Sequence, residues 1–202
     1  IKFSSALILA SVLLSMFTSS IFADYERRDS VKNFVDELAV EDGFDRLQLL
    51  DIFEQVEKKQ RIIDLISRPA EKAKPWHEYR EIFVTAPRIA AGVEFWEENE
   101  AALNRAGSKF GIPIEIIVAV IGVETNYGRN TGSFRVMDAL STLAFDYPPR
   151  ARFFRGELRE LLLLAREENK DPLDLIGSYA GAMGYGQFIP CLLYTSPSPR
   201  DL

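Results

Sequence analysis

The stretch VAVIGVETNYG, residues 118–128, is the most informative part of the chain, because it ends a long apolar run in a single carboxylate. Residues 116–123 carry no charged side chain. Apolar residues fill so many positions here that the predicted helix is apolar on all faces, which is typical of a buried helix. Pro113 is suited to its first helical position, and the residues from Asn126 to Gly128 are suited to its end.

Glu124 falls in the last turn of this predicted helix. Desolvation disfavours an ionised carboxylate, and so does the negative end of the helix dipole, so we expect the pKa of Glu124 to be raised. A carboxyl group of that kind is suited to general acid catalysis. The alternative is that Glu124 only marks the point where a core helix reaches solvent, and the helix alone leaves both interpretations open.

A second motif, SYAGAMGYGQFIP at residues 178–190, combines three glycines with hydroxyl, aromatic and amide side chains. Glycines let the backbone approach a ligand closely, and the polar groups suit a sugar. A phosphate cradle is disfavoured, because no Lys-Ser/Thr pair follows the glycines and no convincing strand precedes them. A purely structural junction between a helix and a turn remains the alternative.

Several separate blocks carry a family resemblance. GVETNYG (122–128), DALSTLAFDYPPRARFFRGEL (138–158) and GSYAGAMGYGQFIP (177–190) resemble, in this order, the membrane-bound lytic murein transglycosylase B family. Upstream, ISRPAEKAKPWHEYREIF (66–83) and RIAAGVEFW (88–96) agree with it as well. The resemblance implies an all-α, lysozyme-like domain that cleaves the MurNAc–GlcNAc β-1,4 bond of peptidoglycan without water and leaves a 1,6-anhydromuramoyl end.

The resemblance also implies a catalytic role for Glu124. It matches the family's acid/base, which protonates the leaving oxygen and then deprotonates the C6 hydroxyl, with help from the substrate's N-acetyl group. Most glycosidases use two carboxylates, and substrate-assisted families are exceptions. Asp138 and Asp146 lie in a stretch typical of ordinary helix and turn, so no second carboxylate stands out.

Further residues are candidates for binding the substrate. Ser178 and Gln187 match family positions that contact it near the reacting sugar. Three tyrosines are weaker candidates for stacking on sugar faces, with packing in the core or at the rim as the alternative; they are Tyr127, Tyr185 and Tyr79. Arg150 is a candidate for the acidic peptide stem, although a solvated surface arginine is the simpler interpretation.

The N-terminus predicts export. Lys2 precedes an apolar stretch of residues 6–17 that is short for a membrane span, and Ala23 is a small residue suited to signal-peptide cleavage. An uncleaved anchor is the alternative. After removal of residues 1–23, the resemblance implies a protein of the periplasm. There is no cysteine near the cleavage site, so a lipid anchor is not expected.

Composition excludes several classes. The chain has a formal net charge of −6, so it does not have the excess of basic residues that is typical of a nucleic-acid-binding protein. One histidine and one cysteine offer no Ser-His-Asp set and no zinc site, and the calcium-loop pattern D-x-[DN]-x-[DN]-G is absent, so we expect no metal and no cofactor. His77 should face solvent, whereas Trp76 and Trp96 should lie in the core.

Helical periodicity predicts most of the remaining structure. Val31, Phe34, Val35 and Leu38 follow the i, i+3, i+4, i+7 rule after Ser30, a suitable N-cap. Further helices are predicted around residues 47–56, at 62–66, at 88–106, ending before Gly107, and at 153–168.

The C-terminus departs from the family pattern. We expect a partial lysozyme-like domain over residues 24–190, incomplete at its C-terminus, because the family continues with a further lobe. Residues 191–202, CLLYTSPSPRDL, look like a tail of separate origin. The expected partners are peptidoglycan strands, with peripheral contact to cell-wall synthesis proteins, and the expected state is a monomer. A hydrolytic muramidase and a non-catalytic wall-binding protein remain the rival functions.

Overall fold

The computed structural model describes residues 25–68 and 75–194, which form α-helices and one short antiparallel sheet. The predicted all-α class is confirmed, and the added sheet pairs β1 (Phe134–Arg135) with β2 (Ile176–Gly177). The helices of the described residues are α1 (Asp29–Glu41), α2 (Arg46–Glu54), α3 (Gln60–Ile66), α4 (Trp76–Phe83), α5 (Ala86–Glu98), α6 (Glu100–Phe110), α7 (Ile114–Thr125), α8 (Val136–Asp146), α9 (Ala151–Glu167) and α10 (Pro190–Tyr194).

The larger hydrophobic core is built around α8. Nine consecutive residues of this helix, from Val136 to Ala144, are buried. Side chains from α1, α2, α3 and α9 complete the cluster. The four apolar residues predicted to share one face of α1 are all buried in it, which confirms the periodicity there. The predicted cap is wrong, because Ser30 lies inside the first turn and Arg28 precedes the helix without a side-chain cap.

A smaller core joins α5, α6 and α7 through Phe95, Leu103 and Val118. The single helix predicted over residues 88–106 is wrong, because it is divided at Asn99. The side-chain amide of Asn99 donates to the carbonyl of Phe95 at 2.8 Å, and Asn99 is both the end of α5 and the N-cap of α6. Gly107 lies within α6. The residue after this helix, Gly111, is its C-cap and adopts a left-handed conformation.

Helix α7 is buried on one face only, so the prediction of a fully buried helix is wrong. Val118, Gly122 and Thr125 are buried at i, i+4 and i+7. Ile116, Val120 and Val123 form a second stripe with the same spacing, and all three are exposed. The smaller core packs α5 and α6 against Val118 and the partly buried Ile114, Ile117 and Ile121 of α7. Apolar composition thus predicted the helix correctly but not the extent of its burial.

Two valines of α7 allow a matched test of this asymmetry. Val118 is 6% exposed and Val120 is 46% exposed. We expect Val118→Ala to lower the free energy of unfolding by about 2 kcal/mol, from lost transfer energy and a residual cavity. Val120→Ala should change it by less than about 0.5 kcal/mol. Urea unfolding of both variants measures this; equal losses would mean that the second stripe is covered in solution.

The segment around α4 also differs from expectation. Trp76 is exposed, because α4 buries none of its residues and Trp76 contacts Tyr79 on the same helix. Trp96 packs at the edge of the smaller core, and His77 is exposed as predicted. Among the described residues, no single helix has the length and apolarity to cross a membrane; α6 and α7 pass that test only as a pair bent by 116°.

The two predicted terminal segments are only partly described. Residues 1–23, the predicted signal peptide, lie outside the described residues, as do residues 195–202. The first residues of the predicted tail belong to α10, which packs on α9. There the carboxylate of Glu157 accepts the N–H of Cys191 at 3.1 Å.

Candidate active site

The site begins at the C-terminus of α7. The helix ends at Thr125, and Asn126 and Tyr127 adopt left-handed conformations with φ of 51° and 60°, so the chain reverses there, as predicted. Glu124 lies in the last turn and is exposed to solvent. The prediction that its own helix would desolvate Glu124 is therefore wrong. The neighbouring stripe of α7, formed by Ile116, Val120 and Val123, is exposed to solvent.

Thr125 connects this helix end to the glycine-rich motif. Its side chain is 1% exposed. Its hydroxyl oxygen lies 3.1 Å from the carbonyl oxygen of Ile121 and 3.0 Å from that of Tyr185. The same oxygen accepts the N–H of Gly128 at 3.0 Å. Residues 60 positions apart in sequence thus meet at one buried hydroxyl.

The glycine-rich motif forms a tight loop anchored on the β1–β2 pair, and we call residues 177–188 the glycine loop. The hydroxyl oxygen of Ser178 accepts the N–H groups of Ala180 and Ala182 at 3.3 and 3.0 Å. Met183 and Phe188 exchange backbone hydrogen bonds across the tip of the loop. Ser178 therefore shapes the loop, and its hydroxyl proton is not used by these two bonds.

Gln187 fixes the other end of the loop. Its side-chain nitrogen donates to the carbonyls of Thr131 and Gly184 at 3.1 and 3.0 Å. Both amide protons are therefore occupied, and the side-chain carbonyl oxygen remains as an acceptor for a ligand. Ser178 and Gln187 both hold the loop together, so the motif has a structural role.

The two tyrosines nearest the helix end have different surroundings. The ring of Tyr127 lies between α5 and α7, where a Cβ on Gly92 or Gly122 would come within 2.6 or 2.7 Å of its hydroxyl oxygen. Tyr127 is thus a packing residue between helices. Tyr185 is exposed, and its ring lies so close to Gly128 that a Cβ there would come within 2.5 Å of it. Of the two, only Tyr185 presents its ring to solvent.

Two other predicted binding residues lie in other surroundings. The ring contacts of Tyr79 are with Trp76 and Phe83 on the same helix, α4. Arg150 stacks its guanidinium over Phe153 at 4.3 Å. It lines a groove of about 620 Å³ formed by residues 148–160 and Cys191. The described contacts connect neither Tyr79 nor Arg150 to the glycine loop.

Sequence reasoning missed two features of this region. The first is Thr125, whose polarity in an apolar helix was the only available signal. The second is an apolar groove of about 350 Å³ between α7 and the glycine loop, whose lining includes Ile116, Val120 and Phe188. Among the described residues, no three His, Cys, Asp or Glu side chains are grouped so that they could hold a metal ion.

Glu124 is the acid in the last turn of α7, and a second carboxylate lies near the turn: Glu94 of α5 is exposed and pairs with Arg129 at 3.5 Å. Glu124 is the only acidic residue in segments 116–137 and 175–194, which form the helix end, the reversing turn and the glycine loop. A carboxylic acid at this helix end, joined to a loop that offers the Ser178 hydroxyl proton as a donor and the Gln187 carbonyl oxygen as an acceptor, can protonate and deprotonate a bound sugar. Helical fold and site together define a protein of the lysozyme-like class.

Comparison with known proteins gives the family. The transglycosylase SLT domain matches residues 26–195, and the chain belongs to this family. It is 46% identical over 176 residues to the membrane-bound lytic murein transglycosylase B of Escherichia coli (strain K12), covering 83% of this chain and 49% of that protein. The chain thus spans about half the length of this relative.

Solved structures agree in fold. The catenated lytic transglycosylase SltB1 from Pseudomonas aeruginosa is similar with a TM-score of 0.86 and 56% identity, over 88% of this chain and 59% of that one. SltB3 from the same organism, solved in complex with NAG-NAM-pentapeptide, has a TM-score of 0.72 and 26% identity, over 80% and 43% of the two chains. The lysozyme-like helical fold implied by the sequence resemblance is confirmed.

Proposed function

We propose that this chain carries the catalytic helix and glycine loop of a lytic transglycosylase that cleaves the MurNAc–GlcNAc β-1,4 bond of peptidoglycan without water. The observation that carries the proposal is the acid Glu124, on a helix end that Thr125 joins to the glycine loop. Family membership supports the reaction class, and the SltB3 complex with NAG-NAM-pentapeptide supports the substrate class.

One acid is sufficient for this chemistry. Protonated Glu124 donates its proton to the glycosidic oxygen as the bond from that oxygen to C1 of MurNAc breaks. The substrate's own N-acetyl group stabilises the oxocarbenium-like carbon. Glu124, now a carboxylate, accepts the proton of the C6 hydroxyl as the C6 oxygen bonds to C1. The proton returns to Glu124, and no water is consumed.

A two-carboxylate hydrolase fits this site less well. Such enzymes hold their carboxyl groups about 5–9.5 Å apart, on opposite sides of the scissile bond. The segments that form the helix end, the reversing turn and the glycine loop contain only Glu124 as an acid, and the neighbouring carboxylate of Glu94 is paired with Arg129. The substrate-assisted route needs no second carboxylate, so it is the one that the composition of the site favours.

The surrounding groups have distinct proposed roles. The Ser178 hydroxyl and the Gln187 carbonyl oxygen bind the sugar next to the scissile bond, while the exposed ring of Tyr185 packs on a sugar face. A glycan strand over Glu124 would remove water from its carboxyl group, which the helix alone leaves exposed. The predicted leader, residues 1–23, places the protein in the periplasm, where peptidoglycan is accessible.

Product analysis tests this function. We expect the chain to release soluble fragments from purified peptidoglycan, and we expect mass spectrometry to find anhydro ends, one water lighter than hydrolysed ends. Full-length SltB1 serves as the positive control. Hydrolysed ends would instead indicate a muramidase. Binding to peptidoglycan with no release, beside an active control, would indicate a binding protein.

A further inference from the structure

We propose that Thr125 is a positioning residue, which holds the carboxyl group of Glu124 in register with the glycine loop. The inference rests on the proposed function, because it assigns Thr125 a role in the same reaction. Thr125 directly follows Glu124 in the last turn of α7. Any displacement of Thr125 therefore moves the backbone that carries the acid.

The hydroxyl of Thr125 contacts three separate segments. Ile121 belongs to α7 itself, Gly128 to the reversing turn, and Tyr185 to the glycine loop. The hydroxyl accepts from Gly128 and has one proton for two carbonyl oxygens. It thus holds the turn as an acceptor and the loop or the helix as a donor.

The proton is best used at Tyr185. The carbonyl oxygen of Ile121 also accepts the backbone N–H of Tyr127, at 3.4 Å. A threonine in a helix commonly bonds back to the carbonyl four residues earlier, but that carbonyl already has a partner here. We therefore assign the hydroxyl proton to the carbonyl oxygen of Tyr185. That hydrogen bond joins the end of α7 to the glycine loop.

The reversing turn also needs this support. Asn126 and Tyr127 are both in the left-handed region, which asparagine tolerates but which is unfavourable for a bulky residue such as Tyr127. The bond from the Gly128 N–H to Thr125 closes the turn directly behind them. Loss of the hydroxyl would release the turn and the loop together, leaving Glu124 on a frayed helix end.

Substitutions at Thr125 separate positioning from stability. Thr125→Val keeps the shape and removes the hydroxyl, while Thr125→Ser keeps the hydroxyl. On solubilised glycan strands we expect Thr125→Val to lower kcat about 100-fold with little change in KM, since small misplacements of a catalytic group cost about that much. Thr125→Ser should restore kcat to within a few-fold of the parent. Amide hydrogen exchange at Gly128 should be faster in Thr125→Val only.

Thr142→Val is the matched control. Thr142 is fully buried in the larger core, where its hydroxyl oxygen accepts the N–H of Lys59 at 3.1 Å. Its loss should lower the melting temperature without changing kcat. An active parent with a fully active Thr125→Val variant, or an inactive Thr125→Ser variant, would overturn the positioning role alone. A parent that neither releases fragments nor cleaves soluble strands would overturn the proposed function, and this inference with it.

Discussion

Glu124→Gln is expected to abolish fragment release from peptidoglycan while leaving the fold unchanged. Glutamine has nearly the same shape, but it can neither protonate the leaving oxygen nor accept the proton of the C6 hydroxyl. General acid–base catalysis by one side chain contributes about 10²- to 10⁴-fold, and here one group performs both steps, so we expect a loss at the upper end. Because Glu124 is exposed, the free energy of unfolding should change by less than about 0.5 kcal/mol.

Glu115→Gln provides the control for this substitution. Glu115 lies in the first turn of the same helix and is also exposed, so the change in charge is the same. Rates of release of soluble fragments should be close to those of the parent. Substantial activity in Glu124→Gln, or an equal loss in Glu115→Gln, would contradict the assignment of the acid.

Asp146→Asn is expected to cause a large loss of stability, about 2–3 kcal/mol. The Asp146 side chain is 11% exposed and accepts hydrogen bonds from the Tyr25 hydroxyl at 2.6 Å, from Arg28 at 3.0 Å and from Lys58 at 3.0 Å. These contacts join the start of the described chain to the end of α8. Hydrogen bonds to a charged group contribute about 1.5–3 kcal/mol each, and removing the charge weakens all three. Urea unfolding at neutral pH measures the difference.

The stability difference should also depend on pH. Burial of Asp146 works against its ionised form, but the hydrogen bonds from Arg28, Tyr25 and Lys58 outweigh burial and hold its pKa below the ordinary range. An unfolded aspartate has a pKa of about 3.9, so the stabilisation is complete above that pH and is lost as the pH falls through the lower folded value. The difference in the free energy of unfolding between the parent and Asp146→Asn should become smaller in that acid range.

An exposed aspartate serves as the comparison. Asp36 pairs with Arg46 at 2.6 Å on the surface, where both side chains are about half exposed. Asp36→Asn should cost less than about 1 kcal/mol, as is usual for surface ion pairs. If Asp36→Asn and Asp146→Asn destabilise equally, or if the Asp146 gap is the same at acidic pH, the Asp146 network is not a main support of the fold.

Local patterns predicted the helices well where one face meets a core. Val31, Phe34, Val35 and Leu38 specify α1 because their spacing places them on one side, and that side is buried. Asn126 and Gly128 correctly predicted the end of α7, since both residues tolerate left-handed backbone. In each case the determinant lies within a few residues of the element it controls.

The wrong predictions concern burial and helix breaks, which depend on contacts that the local pattern does not contain. The apolar run of α7 does not reveal which of its faces another helix covers, so the burial of Glu124 was overestimated. The break between α5 and α6 depends on one side-chain bond from Asn99 to Phe95, inside an otherwise continuous helical pattern. Trp76 is large and apolar, yet α4 buries nothing.

The sequence pointed to Glu124 and to the glycine loop separately, but it did not show that the two are joined. Glu124 and the glycine loop both stand out in the sequence, as an isolated acid and as a dense glycine motif. The hydrogen bond from Thr125 to Tyr185 spans 60 residues, so no local pattern contains it. Tyr127 and Tyr185 look alike as aromatic residues next to glycine, and only packing shows that Tyr127 lies between helices while Tyr185 is exposed.

Digestion in water labelled with a heavy oxygen isotope shows whether this chain cleaves the glycosidic bond with or without water. The proposed mechanism closes the ring with the C6 oxygen of the substrate, so the released muramoyl ends should carry no label. A hydrolytic lysozyme on the same peptidoglycan gives the labelled reference, because hydrolysis adds a water oxygen at C1. Unlabelled anhydro ends from this chain would establish cleavage without water, and labelled ends would contradict it.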